Sequence, residues 1–244
     1  MIDDLTLLRG EPYYINDNIF IKNPTLNEVY EYGEQNFYGL INRLASIPSD
    51  YKSELFDIGI DYEKMTDFEL FILQTKQLSI EESRILFGER LDFTQLLDFV
   101  NPQTDEIVLA ESEFSLNNPD EIVIDSHIYM MISDYLCKMN GIEKKPEFGG
   151  NEIAKRMLIE IDREDKLLFR NKPFKSILKP SIIAMVNSTD FKYNFETVWD
   201  LPISIFFESA RQVQKLKNVE SLMFGAYSGN IDTSKISPKE FNWI

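Results

Sequence analysis

The sequence predicts an α+β protein, mainly helical, with an N-terminal β-hairpin and a small antiparallel sheet near residues 91–124. Three observations predict it. Aromatic and apolar runs flank the turn-forming Asn16-Asp17-Asn18; short apolar runs broken by Asn-Pro pairs fill residues 91–124; elsewhere apolar residues recur at three- and four-residue spacing. With 244 residues, 43% hydrophobic and 13% aromatic, the chain can bury a core of ordinary size and lacks the composition of a disordered one.

Tyr13–Ile15 and Ile19–Ile21 predict the hairpin strands. Asn23-Pro24-Thr25 stops the second strand, and Thr25 with Glu28 three residues on forms a capping box that opens a helix. Its stripe, Leu26, Tyr30, Gly33, Phe37, Leu40 and Leu44, predicts one core-packing helix as far as Pro48, weakened at Gly33 and Gly39. Thr66 with Glu69 predicts a second capped helix through Phe68, Leu70, Phe71, Ile72 and Leu73. Leu91-Asp92-Phe93, Ile107-Val108-Leu109 and Ile122-Val123-Ile124 then read as short strands, punctuated by Asn101-Pro102 and Asn117-Asn118-Pro119.

Asp125 and Ser126 cap a helix with the stripe Ile128, Ile132, Tyr135, Leu136 and Met139, closed by Gly141. Gly149-Gly150-Asn151 precedes a helix to about Arg170, and another spans Ser176 to Asn187 with Pro180 in its first turn. Pro202 opens the last, whose face carries Ile203, Phe206, Phe207, Ala210, Val213 and Leu216. No repeat or linker tract marks a domain boundary. Residues 1–140 read as an acidic α+β part and 151–244 as a helical part, joined by GIEKKPEFGG at 141–150, which equally suits a surface loop within one domain.

Charge is unevenly placed. Residues 1–124 hold 25 Asp and Glu against 8 Lys and Arg, and residues 125–244 hold 16 against 17, within a formal net charge of -16. That field opposes nucleic acid and anionic lipid and attracts basic proteins, besides its general effect on solubility. The N-terminal acidic residues do not suit a signal peptide, and no apolar run approaches the ~20 residues of a membrane span, so a soluble, intracellular protein is expected. One cysteine, Cys137, and one histidine, His127, exclude an intramolecular disulfide and zinc sites built from several Cys and His ligands.

The remaining motifs are weak. Asp57-x-Gly59-x-Asp61-x-Glu63 resembles a calcium loop, but Tyr62 stands where the turn needs Gly and Phe68 where the bidentate Glu belongs. Glu160, Asp162, Glu164 and Asp165 alternate with Arg163 and Lys166 as solvated helix charge pairs do. Ser49/Lys52 and Ser176/Lys179 match S-x-x-K without its companion elements, His127 reads as a first-turn residue, and Asn187-Ser188-Thr189 is a sequon only in a secreted protein. No catalytic residue, metal ligand or cofactor site is therefore assigned. The partner-binding candidates are the C-terminal aromatics Trp199, Phe206, Phe207, Phe224, Tyr227, Phe241 and Trp243, although helical spacing assigns most aromatics here to the core.

Three stretches carry a resemblance to a known family: LTLLRGEPYYINDNIFIKNPTLNEVYEYGEQNFYGLINRLASIPSDYK, DEIVIDSHIYMMISDYLCKMNGI and FKYNFETVWDLPISIFFESARQVQKLKNVESLMFGAYSGNIDTSKI. In texture and order they are similar to morphogenesis proteins of tailed bacteriophages and prophages of Gram-positive bacteria. The resemblance implies a non-enzymatic tail assembly chaperone in the host cytoplasm, binding the tape measure protein or other tail proteins. A virion component of the tail or head-tail connector is the alternative within the same family, and the charge leaves open an acidic decoy for a host nucleic-acid-binding protein. Homo-oligomerisation stays open, and no functional residue is carried over.

Overall fold

Asn16 closes the first turn. Its side-chain oxygen accepts from the backbone N–H groups of Asn18 (2.9 Å) and Ile19 (2.7 Å), folding β1 (Tyr13–Tyr14) antiparallel onto β2 (Phe20–Ile21). The computed structural model describes residues 4–102, 104–118, 120–170, 172–232, 234 and 236–242. Among these the chain is an α+β protein of ten α-helices and two small antiparallel sheets. A short helix that the sequence reading did not include, α1 (Asp4–Arg9), precedes the hairpin and packs on the last helix.

The Thr25/Glu28 capping box forms in both directions, but the helix it opens is short. Gly33, at φ 95° and ψ 116°, breaks the expected single helix into α2 (Leu26–Tyr32) and α3 (Glu34–Ala45). The break changes the face: Leu26 and Val29 enter the core, while Tyr30, expected in the buried stripe, is 70% exposed. Only glycine adopts such a backbone freely, so Gly33→Ala should lower stability by about 1–3 kcal/mol. In urea the midpoint should fall with an unchanged slope.

Next come α4 (Lys52–Asp57), α5 (Asp67–Thr75), opened by the Thr66/Glu69 box, and α6 (Ile80–Phe87), opened by a Ser79/Glu82 box of the same kind. The three-stranded sheet runs in the order β3 (Leu97–Val100), β4 (Ile107–Ala110), β5 (Val123–Ile124). Leu91-Asp92-Phe93 is not a strand. Leu91 and Phe93 are core residues, and the Asp92 carboxylate accepts from Thr94 N–H to cap a 3-10 turn over Phe93–Gln95. That local cap turns the chain at Phe93, and pairing begins only at Leu97.

Helix α7 (Ser126–Asn140) is capped by Asp125 and ended by Gly141 in the left-handed conformation. α8 (Glu152–Phe169), α9 (Leu178–Val186) and α10 (Ile203–Tyr227) follow. One apolar core joins residues from Ile19 to Phe206, with α7 packed against α3, α5 and α10. Its centre holds Phe37, Phe71, Phe87, Phe93, Tyr135 and Phe206, and Phe71 sits beside both Phe93 and Tyr129. Among the described residues no helix is long and apolar enough to cross a membrane.

The 141–150 segment is fastened to the first half of the chain. Lys144 pairs with Asp67, Glu147 with the buried Lys52, and Gly149 N–H donates to Glu63 at 2.7 Å. Just beyond it α8 lies on α4, where Leu55, Tyr62, Leu70 and Ile159 form a second, smaller core.

Candidate functional site

Two sets of backbone links position an apolar groove. Leu26 N–H donates to Leu201 O (2.9 Å) and Ile203 N–H to Pro24 O (2.8 Å), which sets the 3-10 turn Val198–Asp200 beside α2. On the other side Glu34, in the first turn of α3, accepts from Ile177 N–H (2.7 Å) and Leu178 N–H (2.9 Å). It thereby caps α9 with a carboxylate, which the free N–H groups of a helix start favour.

Between these supports the groove encloses about 260 Å³ and is walled by Leu26, Tyr30, Leu178, Ile182, Phe195 and Trp199. Asn194 shapes one wall: its side-chain oxygen accepts from Glu196 and Thr197 N–H, holding the turn that carries Phe195. Trp199 donates its indole N–H to Phe195 O at 2.9 Å, so it offers the groove only its ring, tilted against Tyr30 with centroids 5.9 Å apart. Phe195 is 52% exposed and Ile183, at the rim, 46%. Glu34 and Lys179 are the charged groups at the margin, and Glu34 is engaged by α9. Such a surface takes up carbon and has little to offer a polar substrate.

Of the aromatics singled out in the sequence that are among the described residues, only Trp199 lies in this groove. Phe206 is fully buried against Phe191 and Phe207, so it is a core residue and faces no partner. Phe207 is partly buried and lines a different, open cleft of about 640 Å³ between the end of α7 and α10. Phe224 and Tyr227 stand exposed on the last turns of α10, and Phe241 is partly buried in a 3-10 turn, Pro238–Phe241, that packs back on that helix. Trp243 lies outside the described residues. Tyr30, Ile183 and Phe195 were missed as site residues. For Tyr30 helical spacing gave no warning, because residues three and four apart, Leu26, Val29 and Tyr30, share one face of a helix, and its 70% exposure comes from what stands opposite that face.

The carboxylates of the calcium-like stretch are consumed by pairing. Lys155 bridges Asp61 and Glu63. Its hydrogen bond holds the Asp61 carboxyl below its ordinary range, and Gly149 N–H does the same first for Glu63. Asp57 pairs with Arg163, and among the described residues no cluster of His, Cys, Asp and Glu is arranged to hold a metal ion. Glu160, Glu164 and Asp165 are exposed as expected, whereas Asp162 is turned inward onto α4. Buried Lys52 donates to Ser49 O and to Glu147, and Ser176 accepts from Lys179 N–H as a helix cap, so neither S-x-x-K pair sets a lysine against the serine hydroxyl. His127 is exposed in the first turn of α7, and burial raises the pKa of the Cys137 thiol.

Comparison of the chain with protein-family models, with curated proteins and with solved structures finds no match.

Proposed function

We propose that this chain is a non-enzymatic binding protein whose α2–α9 groove receives an apolar side chain of a protein partner. The groove carries the reading: Tyr30, Ile183 and Phe195 stand open to solvent along aliphatic walls, while the Trp199 indole N–H and the Glu34 carboxylate beside them are already bonded. Buried aromatic anchors in such pockets supply much of the affinity of protein interfaces. Taken with the resemblance to phage morphogenesis proteins, the reading is of a phage assembly factor, foremost a tail assembly chaperone that engages the tape measure protein or another tail protein in the host cytoplasm. The pairing of Asp57, Asp61, Glu63 and Asp162 within the fold supports binding over catalysis.

Co-expression with the tape measure protein tests it. A complex should co-elute, and Tyr30→Ala combined with Ile183→Asp should weaken it at least about tenfold, roughly 1.4 kcal/mol, with the melting temperature little changed. A tape measure protein that stays insoluble, or a complex indifferent to the double substitution, would sink the proposal.

A further inference from the structure

We propose that the outward face of α8 is a docking surface for a basic amphipathic helix of a protein partner. α8 spans 18 residues, about 27 Å at 1.5 Å per residue. Helical geometry sorts its side chains onto two faces. On the inner face Ile159 is buried against α4, and three cations are used there: Lys155 on Asp61 and Glu63, Arg163 on Asp57, Lys166 on Glu54 and Asp162. Arg156, the fourth, lines the cleft between the same two helices.

The opposite face carries Ile153, Met157, Ile161 and Leu168, exposed by 74, 60, 52 and 65%. Steps of four, four and seven residues align them in one stripe along the axis. Glu164 stands within that stripe, at the turn between Ile161 and Leu168, and the charges bordering it include the carboxylates Glu160 and Asp165; Glu160 reaches back to Arg163, and Glu164 and Asp165 have no ion-pair partner among the described residues. Three of the four basic side chains of α8 are thus used in ion pairs on its inner side, and the outward face is apolar with carboxylates in and beside it.

That asymmetry selects the occupant. A second amphipathic helix would bury the stripe, and Lys or Arg along its margins would neutralise Glu164 and Asp165. The same carboxylates oppose an anionic lipid surface, and a second α8 would bring like charges to the border. This surface lies apart from the α2–α9 groove and adds to the groove reading without resting on it.

The experiment titrates the full chain with two synthetic 18-residue helical peptides that share a leucine stripe, one bordered by lysine and one by glutamate, followed by fluorescence anisotropy. The lysine peptide should bind at least about tenfold tighter, and added salt should narrow the difference. Met157→Gln with Ile161→Gln should weaken it at least about tenfold, while Glu111→Gln with Glu113→Gln, exposed carboxylates remote in sequence, should change it less than about twofold. Undiminished binding to the Met157/Ile161 variant would overturn the proposal, because the diffuse acidic field would then suffice. A dimer in sedimentation equilibrium that the same variant converts to monomer would also overturn it, the face being covered by a second copy. Neither variant touches the groove, so the proposed function is tested separately.

Discussion

Replacing Phe206 with alanine should lower the unfolding free energy by about 3–5 kcal/mol, whereas Phe224→Ala, on the same helix, should change it by less than about 0.5 kcal/mol. Phe206 is fully buried and packs edge-on against Phe191 and Phe207, while Phe224 is 74% exposed. Removal of the Phe206 ring leaves a cavity beside Phe191 and Phe207 that the packed core closes only in part. Urea unfolding of both variants measures the difference. Equal losses would mean that the end of α10 is packed as tightly as its beginning. A small loss at Phe206 would mean that α10 is not seated in the core at all.

Phe206 and Phe224 also show where sequence reading stops. They are eighteen residues apart, five turns at 3.6 residues per turn, and so lie on the same face of α10. Periodicity reports which face a residue occupies, not whether anything stands opposite it. Near Phe206 the opposing surface is supplied by Phe191 and the rest of the core, brought in by chain topology that no local spacing encodes.

Elements with local causes were legible. Thr25 with Glu28, Thr66 with Glu69, and Asp125 with Gly141 each place a helix end through a hydrogen bond between near neighbours, and each is found where the residues predict it. Ser79 with Glu82 carries the same signature and opens α6, so that helix was readable and was passed over. Gly33 was read as a weak point, but its positive φ depends on how α2 and α3 pack, and one helix became two. The groove was the least accessible feature: its walls come from residues between Leu26 and Trp199, and its shape depends on Glu34 reaching a helix 143 residues away. Trp199, large and rare, is conspicuous in any sequence; Tyr30, four residues from Leu26, fits the apolar stripe by spacing and yet stands on the exposed side of α2.

A similar long-range contact makes Asp162 a sensitive position. Four carboxylates within six residues, interleaved with Arg163 and followed by Lys166, read as a solvated surface on an amphipathic helix, and three of them are exposed. The Asp162 carboxylate, 13% exposed, instead accepts from Ser53 N–H (3.0 Å), Ser53 Oγ (2.6 Å) and Lys166 Nζ (2.9 Å). α4 begins at Lys52 with no side-chain cap of its own, so a residue of α8 caps it across 109 positions of sequence. Asp162→Ala should cost about 2–4 kcal/mol at neutral pH, since it leaves a helix-start N–H without an acceptor and Lys166 short of one partner. Asp162→Asn should cost less, because its oxygen can still accept from Ser53 while the charge on Lys166 loses its match. Burial alone would raise the Asp162 pKa, but the hydrogen bonds from Ser53 and Lys166 outweigh it and hold the folded value below the ordinary carboxylate range. Stability from a depressed carboxylate pKa is complete above the unfolded value, about 3.9, and is lost as the pH falls through the folded one. The gap in unfolding free energy between the wild-type chain and Asp162→Asn should therefore hold from pH 7 to about pH 5 and close in more acidic solution. A gap that persists unchanged well below the carboxylate range would show that Asp162 serves α4 by shape and hydrogen bonding alone, with no contribution from its charge.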